Sequence, residues 1–472
     1  MESEWTRFGK TRRWVIGMVA AALIPVVAGL ALVASSRATC GNQTTEEPCP
    51  APILGPAGQA VEDKFYFVHQ SLRGDGSITA RMNGMTGRIK EPPPPGTGAG
   101  PPPVPGLVPW AKAGVMVKDG IRRGSRYAAI MVTAGHGVRM QHNFTEDVAG
   151  SAGQYPRWLR LTRTGDTLTG FESADGEKWT EVGRADLGGL PDTVEIGLFA
   201  ASPGALTMAG GGPESRFSEA TAVFDQVSPQ AGTWKSDDIG VQMEPDGVTP
   251  HHGGGLSRSG GTFTVTGTGD IAPGTEWQPI ERTLVGAFLG LIAVIVVAVS
   301  FGTADRRRLA PKAVVIGTVA FISGVIPAAV VVPLALRILP SNGIHPLPVG
   351  LPAYLQVIVG TGLLFAAVAV LSLGIGALLG RAAAGIVAAV AAVFLPYALA
   401  LAGVGDWLLA VTPAAGFAIQ QSAREYAQVE AFYTALTGYF PLAPWAGFAV
   451  LCAYAALGLG LAVVRQRRSP LH

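Results

Sequence analysis

This chain has little charge. Asp, Glu, Lys and Arg together make up 14% of its 472 residues, whereas 48% are hydrophobic. Soluble domains carry about a quarter charged residues, so the composition excludes one ordinary water-soluble domain. The formal net charge is +2. Its basic residues collect at the ends of apolar runs rather than on one face, and no nucleic-acid-binding motif is present. A phosphate loop is missing as well: Gly9-Lys10-Thr11 lacks the leading glycine, because Glu4 stands in its place. The long apolar runs hold almost no ionisable residue, which leaves no proton relay or ion-coupling carboxylate. Cysteine is limited to three positions. Cys40 and Cys49 follow the first apolar run closely, as a candidate disulfide closing a small loop. Cys452 lies within a late apolar run and reads as a packing residue.

What is present is organised around Leu284 to Lys312. A near-continuous apolar run through Phe301 is followed at once by Asp305-Arg306-Arg307-Arg308 and then Lys312. Such a run, about 18 residues without a charge, can cross a bilayer as a helix, and the basic cluster behind it marks the cytoplasmic side. That assignment places everything between the first apolar run and this one outside the cell.

The chain opens with a basic segment, residues 1–13, in which Glu4, Trp5, Arg7, Phe8, Arg12 and Arg13 mix charge with aromatics. It reads either as an interfacial helix with cations on anionic lipid or as a simple topogenic tail. Residues 14–34 form the first span. Its length of about 21 residues favours an uncleaved anchor over a signal peptide, although Ala34-Ser35-Ser36-Arg37-Ala38 has the small residues of a cleavage site.

Residues 35–282 change character. Short alternating runs rich in Thr, Val, Phe, Tyr and Trp, separated by Gly, Asp and Pro turns, predict an all-β sandwich with its core at about 61–228. Strands are expected at Phe65 to His69, Ser77 to Met82, Ala113 to Lys118, Tyr127 to Thr133, Trp158 to Arg163, Thr167 to Ser173, Trp179 to Gly183 and Thr193 to Ala200. The Pro/Gly-dominated stretch Glu91 to Pro109 cannot pair in a sheet and is expected as a loop.

Several of these runs carry a resemblance. Asp63-Lys64-Phe65-Tyr66-Phe67, Gly74 to Arg81, Ala113 to Met116, Trp158-Leu159-Arg160-Leu161 and Gly170 to Trp179 resemble the concanavalin-A-like (laminin-G-like) jelly-roll modules of secreted bacterial proteins. Asp175-Gly176 supplies a positive-φ turn for a tight hairpin, with Trp179 capping its base. Trp234, Asp238-Ile239-Gly240 and Gly261 to Ile271 resemble the segment that in those modules precedes the first of these strands. Here they follow the sandwich, over 234–273. The expectation is a circular permutation in which Phe263 to Thr266 supplies an edge strand to the same jelly roll.

Jelly rolls of this type often bind carbohydrate, so a glycan or cell-envelope component is the candidate ligand outside the cell. Glycoside cleavage needs two carboxylates across the scissile bond, and Glu172, Asp175 and Glu177 read instead as hairpin and surface residues. His251-His252 and His136 with His142 sit in Gly-rich surroundings without metal-ligand spacing and read as solvated loop histidines. No catalytic, metal or cofactor site is assigned to this chain.

Beyond Lys312 the chain returns to the membrane. Together with residues 283–304, the region 313–464 gives five further spans, with outer loops at 337–350 and 405–444 and a cytoplasmic tail at 465–472. The aromatics of the second outer loop, Trp407 to Phe440, predict short helices at or dipping into the outer interface. Membrane-flanking cations fall in the N-terminal tail, the loop 305–312, Arg381 and the C-terminal tail. Six spans with both termini inside satisfy the positive-inside rule at every turn. The predicted fold class is therefore a polytopic α-helical membrane domain plus an extracellular all-β jelly-roll sandwich, in the plasma membrane.

The membrane half carries a second resemblance. Ser3-Glu4-Trp5-Thr6-Arg7, Ala304 to Lys312, Thr412-Pro413-Ala414-Ala415-Gly416-Phe417 and Gly438-Tyr439-Phe440-Pro441-Leu442 resemble, in that order, actinobacterial permeases of ATP-binding-cassette (ABC) transporters of the type-2 exporter class. The resemblance implies a permease that pairs with itself or a sister permease and with cytoplasmic ATPase subunits that hold the ATP and Mg. It implies an interfacial connecting helix at Glu4 to Arg13 and an ATPase-coupling element carrying Arg306, Arg307, Arg308 and Lys312. The competing reading is a membrane-anchored carbohydrate- or cell-wall-binding receptor; six uncharged spans exceed what anchoring requires.

Overall fold

The computed structural model describes residues 4–40, 47–90, 102–209, 212–229, 232–243, 250–251, 254–274, 277–304 and 308–468. Eight helices carry the helical part: α1 (Glu4–Lys10), α2 (Arg12–Ser35), α3 (Ala287–Ala304), α4 (Leu309–Ile338), α5 (Leu351–Leu379), α6 (Ala382–Leu401), α7 (Leu408–Val411) and α8 (Pro444–Arg468). Six of them, α2 to α6 and α8, are long and apolar enough to cross a membrane. The helix α5 is the most enclosed and packs against α3, α4, α6 and α8. In contrast, α2, α6 and α8 turn residues such as Ile16, Val27, Val387, Leu395, Leu457 and Leu461 outward. A belt of exposed aliphatic side chains on packed helices is what a hydrocarbon solvent permits and water penalises.

Small residues let these helices approach closely. A Cβ on Gly374 of α5 would lie 2.7 Å from the α8 backbone at Gly458, and one on Gly447 of α8 would lie 2.3 Å from the Ala415 carbonyl. The segment Pro413–Gln420 exploits the second of these contacts. It forms a 3-10 helix whose residues Pro413 to Ile419 are all buried, where the sequence suggested interfacial helices. Aromatic content gives the same signal for a helix on a membrane surface and for one inserted between α5, α6 and α8; the run Ala414-Ala415-Gly416 is what makes insertion feasible.

Between α2 and α3 stands a sandwich of two antiparallel sheets. One orders its strands as Glu146–Ala149, Gly137–His142, Tyr127–Thr133, Lys112–Lys118, Thr193–Ala201, Phe65–Arg73 and Lys235–Ile239. The facing sheet runs Thr180–Asp186, Thr167–Ser173, Arg157–Thr164, Gly76–Ile89, Ser218–Ser228, Thr262–Gly267 and Gly255–Ser259, with Val104–Pro105 paired to Arg88 and Ile89. Inward side chains of both sheets, among them Val68, Ile78, Val115, Leu161, Leu198, Phe224 and Val265, make one dry core.

The late segment joins this sandwich. Residues Thr262–Gly267 pair with Ser218–Ser228, placing Phe263 opposite Phe224 and Val265 opposite Ala222. The strand is next to the edge rather than at it, because Gly255–Ser259 adds outside it. Lys235–Ile239 borders the other sheet against Phe65–His69. His69 fastens that border, its Nδ1 lying 2.5 Å from Glu195 and its Nε2 2.8 Å from Asp237. Gly176 does take the expected positive φ, 82°. It does so inside a connection spanning residues 174–179 rather than a two-residue hairpin. Trp179 Nε1 donates to the Gly176 carbonyl at 3.1 Å, and Arg160 lies 3.8 Å over the Trp179 ring.

Entry and exit of the sandwich are clasped together. The incoming stretch Val61–Asp63 pairs antiparallel with the outgoing stretch Ile271–Pro273. Strand Lys112–Lys118 supplies a buried ammonium to each: Lys118 Nζ lies 2.9 Å from Asp63, and Lys112 Nζ lies 2.5 Å from Asp270 and donates to the Ile271 carbonyl at 3.0 Å. Asp63 also accepts from the Gly124 N–H at 2.7 Å. Burial pulls the Lys118 ammonium below the ordinary lysine range, with Asp63 offsetting part of that shift.

A second tie lies where α2 ends. Cys40 and Cys49 form a disulfide. Its ends lean on the segment that follows α4: Ala38 N–H donates to the Asn342 carbonyl at 2.9 Å, and His345 Nε2 lies 2.9 Å from the Cys49 carbonyl. Gly343, at φ 75°, fits beneath; a Cβ there would sit 2.1 Å from the Ala38 carbonyl.

The clasp makes a quantitative prediction. Asp63→Asn leaves the fully buried Lys118 without its counter-charge and is expected to cost about 3–5 kcal/mol. The double change Lys118→Met with Asp63→Leu removes both charges and is expected to cost far less. Chemical or thermal unfolding of the purified full chain, followed by tryptophan fluorescence, measures the difference. Equal losses in the single and double variants would contradict the charge argument.

Candidate functional site

Two places in the helical part hold polar groups in arrangements that packing alone does not require. The first lies on the side away from the sandwich, where α1, α2, α3 and α4 meet. Helix α1 is short and amphipathic: Trp5 is exposed while Phe8 is buried. One residue, Thr11, separates it from α2, and its hydroxyl donates back to the Arg7 carbonyl at 3.0 Å. Phe8, Trp14 and Phe301 form a ring cluster with centroid separations of 5.9, 5.4 and 4.8 Å. Arg12 and Arg13 remain exposed, Arg13 lying 5.5 Å from the Trp14 ring centre. Glu4 and Arg7 are partly buried on α1.

Lys312 completes the cluster from α4. Its side chain is fully buried, its Nζ donates to the Phe301 carbonyl at 2.9 Å and lies 4.8 Å from the Phe301 ring centre. Phe301 carries one of the last four carbonyls of α3, which have no partner within the helix and form the negative end of its dipole. Lys312 therefore caps α3 from the neighbouring helix. This corrects the sequence expectation of a coupling loop reaching Lys312. Helix α4 already begins at Leu309, and the Lys312 ammonium faces inward rather than toward a partner. Arg308 is exposed, in the left-handed region at φ 58°. Arg306 and Arg307 lie outside the described residues.

The second place is a cavity of about 440 Å³ at the sandwich end of the helices, between α2, the start of α3, α6, and the segments around Phe417 and Leu436. Leu284, Phe288, Leu291, Tyr397, Phe417 and Phe440 give it apolar walls. Glu281 and Arg282 stand at its border, on the 3-10 turn Ile280–Leu284 that leads into α3. Glu281 accepts from the Ser422 N–H at 3.1 Å and from the Ser422 hydroxyl, and the Arg282 guanidinium donates to the Leu436 carbonyl. Burial pushes the Glu281 carboxyl up to about 7, against the opposing pull of Ser422. Gln420 donates to Thr361 Oγ1 of α5 at 2.8 Å. Sequence reasoning passed over this group, since the partners of Glu281 lie some 140 residues away. The one local signal was an acid directly before a long apolar run.

Among the sandwich residues weighed for chemistry, Glu172, Asp175, His136 and His251 have structural partners, whereas His142 ends the strand Gly137–His142, half-buried and with no hydrogen-bond partner for its Nδ1, rather than lying in a solvated loop. Glu172 is buried, accepts from Ser151 N–H at 2.7 Å and Ser151 Oγ at 2.5 Å, and lies 3.5 Å from Arg157. Asp175 accepts from the backbone of Lys178 and Glu177, which holds its carboxyl down at about 2. His136 stacks on Trp110 and His251 on Phe217; His252 lies outside the described residues. No group of three or more metal-ligating side chains occurs among the described residues.

No known protein family matches the chain, and no curated protein does. Among solved structures, a functionally unknown protein from Saccharomyces cerevisiae is 14% identical, with a TM-score of 0.21, covering 41% of this chain and 85% of its own. A mutant of the GH43 protein BlXynB from Bacillus licheniformis is 13% identical, with a TM-score of 0.18, covering 37% of this chain and 27% of its own. Neither likeness extends to function.

Glu281 yields a pH prediction. Between about pH 4.5 and 7 the folded chain keeps a proton on Glu281 that the unfolded chain has released, so stability falls as pH rises through that window. Glu281→Gln removes this dependence. Apparent melting temperature of the detergent-purified protein, followed from pH 5 to 8, should decline in the parent relative to the Gln variant. Parallel profiles would contradict the assignment.

Proposed function

We propose that this chain is the membrane-spanning permease subunit of an ABC transporter of the exporter class, energised by separate ATPase subunits that bind ATP and Mg. In this reading both termini and the α3–α4 turn face the cytoplasm. The sandwich stands outside the cell and takes a glycan or cell-envelope ligand. The permease works as a homodimer or with a sister permease, in the plasma membrane.

The observation that carries the reading is the junction of α1 with the α3–α4 turn. Helix α1 and the ends of α3 and α4 that flank residues 305–307 are locked together through Phe8, Trp14, Phe301 and Lys312 on one side of six apolar helices. A transporter without an ATP site of its own needs such a place, where force from a partner enters and reaches several helices at once. Arg12, Arg13 and Arg308 are exposed beside it, and in the sequence Arg306 and Arg307 directly precede Arg308, as the positive-inside rule requires of a cytoplasmic face. With Lys312 committed to the interior, partner contact falls to the arginines of the turn.

Replacing Arg306, Arg307 and Arg308 together by Glu is expected to abolish co-purification of the ATPase subunit and ATP-dependent transport, while span topology, read by cysteine labelling, stays as in the parent. Retention of both activities would remove the docking role and favour the receptor reading. Lys312→Met is expected to act differently. It lowers the melting temperature by uncapping α3, worth about 1–3 kcal/mol, and leaves ATPase affinity unchanged once the protein is folded.

A further inference from the structure

The cavity beside Arg282 has three properties that together define a ligand. Its walls are apolar: Leu284, Phe288, Leu291, Phe417 and Phe440 leave few partners for water, which needs two to four polar contacts to be held. At about 440 Å³ it falls within the range of small-molecule sites, about 300–1,000 Å³, and far exceeds a packing defect. Its rim is formed by Leu32, Val285, Leu401 and Leu436, which are 43%, 49%, 36% and 58% exposed. Leu32 and Leu401 stand near the sandwich-side ends of α2 and α6, Val285 just before α3 and Leu436 on the turn Ala435–Thr437, so the exposed border of the cavity is apolar and lies at the sandwich-side edge of the aliphatic belt.

One charged group is free to meet a ligand at this mouth. Arg282 is exposed and donates to a single neighbouring carbonyl, leaving further N–H groups on a guanidinium that has five. The other charged residue on the lining, Glu281, turns its carboxylate to Ser422 and away from that role. An apolar chamber with exposed leucines at its border and an exposed guanidinium beside them complements a molecule with an acyl chain and an anionic head.

We propose that this cavity binds an anionic amphiphile from the sandwich-side leaflet, with the chain among Leu284, Phe288, Leu291 and Phe417 and a phosphate or carboxylate head on Arg282. The acyl chain exchanges lipid neighbours for the chamber walls, so the preference rests on the head, where the guanidinium supplies paired, charge-assisted hydrogen bonds. As a cargo site this rests on the transport reading; as a binding site it does not. The two fail separately, because binding is measured on this chain alone, without the ATPase subunit.

The test uses the full chain in detergent and native mass spectrometry with phosphatidylglycerol or phosphatidylcholine of equal chain length. The parent is expected to retain phosphatidylglycerol about tenfold more tightly. Arg282→Gln erases that preference while keeping residual binding of both lipids. Ala287→Phe fills the chamber and lowers binding of both by about tenfold; if that variant does not fold, Arg282→Gln decides alone. Equal preference in the parent and Arg282→Gln overturns the assignment of the head. Undiminished binding in a folded Ala287→Phe overturns the assignment of the chain. Displacement of bound lipid by inorganic phosphate would identify a simple anion site and overturn the amphiphile.

Discussion

The chain leaves the helical bundle at the end of α2 and must return to it at the start of the adjacent α3. Every feature of the sandwich is subject to that closure. Two buried ion pairs, Lys118 with Asp63 and Lys112 with Asp270, bring the outgoing and incoming strands together on a single β-strand. Buried pairs often stabilise less than an apolar substitute would, since each charge surrenders its hydration. What they supply here is position, because a buried ammonium with one carboxylate partner, on the sheet face shared with Phe65, Tyr127 and Phe144, fixes which chain segment lies where. The late strands then follow: with residues 271–273 held against 61–63, Thr262–Gly267 is delivered to the open side of Ser218–Ser228.

Most elements were legible where large residues carried the alternation. Tyr127–Thr133 and Thr167–Ser173 have the bounds expected from sequence, and the six long apolar helices fall where the runs are. Ser218–Ser228 was not among the expected strands, although it lies in the interior of its sheet, next to the central strand Gly76–Ile89. Its inward positions include Ala220 and Ala222, whose small side chains give little periodic signal although they are fully buried. Whether the Pro413–Gln420 turn would lie at the interface or dip into the helices was not legible, because sequence reports aromatic content and not the small residues opposite, such as Gly447, that admit a backbone.

Charged residues were the least legible. A lysine after a run of arginines reads as part of an exposed loop, yet Lys312 spends its charge on the Phe301 carbonyl inside the bundle. Glu281 reads as a boundary acid, yet it meets Ser422 at the wall of the cavity. In both instances the deciding partner is a backbone or hydroxyl group that composition cannot single out. Where a cation or an acid stands at the end of an apolar run, its position marks the boundary and leaves its direction undetermined.

The ring cluster around Lys312 has a mechanical meaning. Phe301 belongs to α3, Lys312 to α4, Trp14 to α2 and Phe8 to α1, and each touches at least one other member. Displacing any one of these four helices at that level requires separating stacked rings or stranding a buried ammonium, both costlier than moving the others along. The four helices are therefore fastened to one another at that level, and α3 links this junction to the cavity beside Arg282 at its other end.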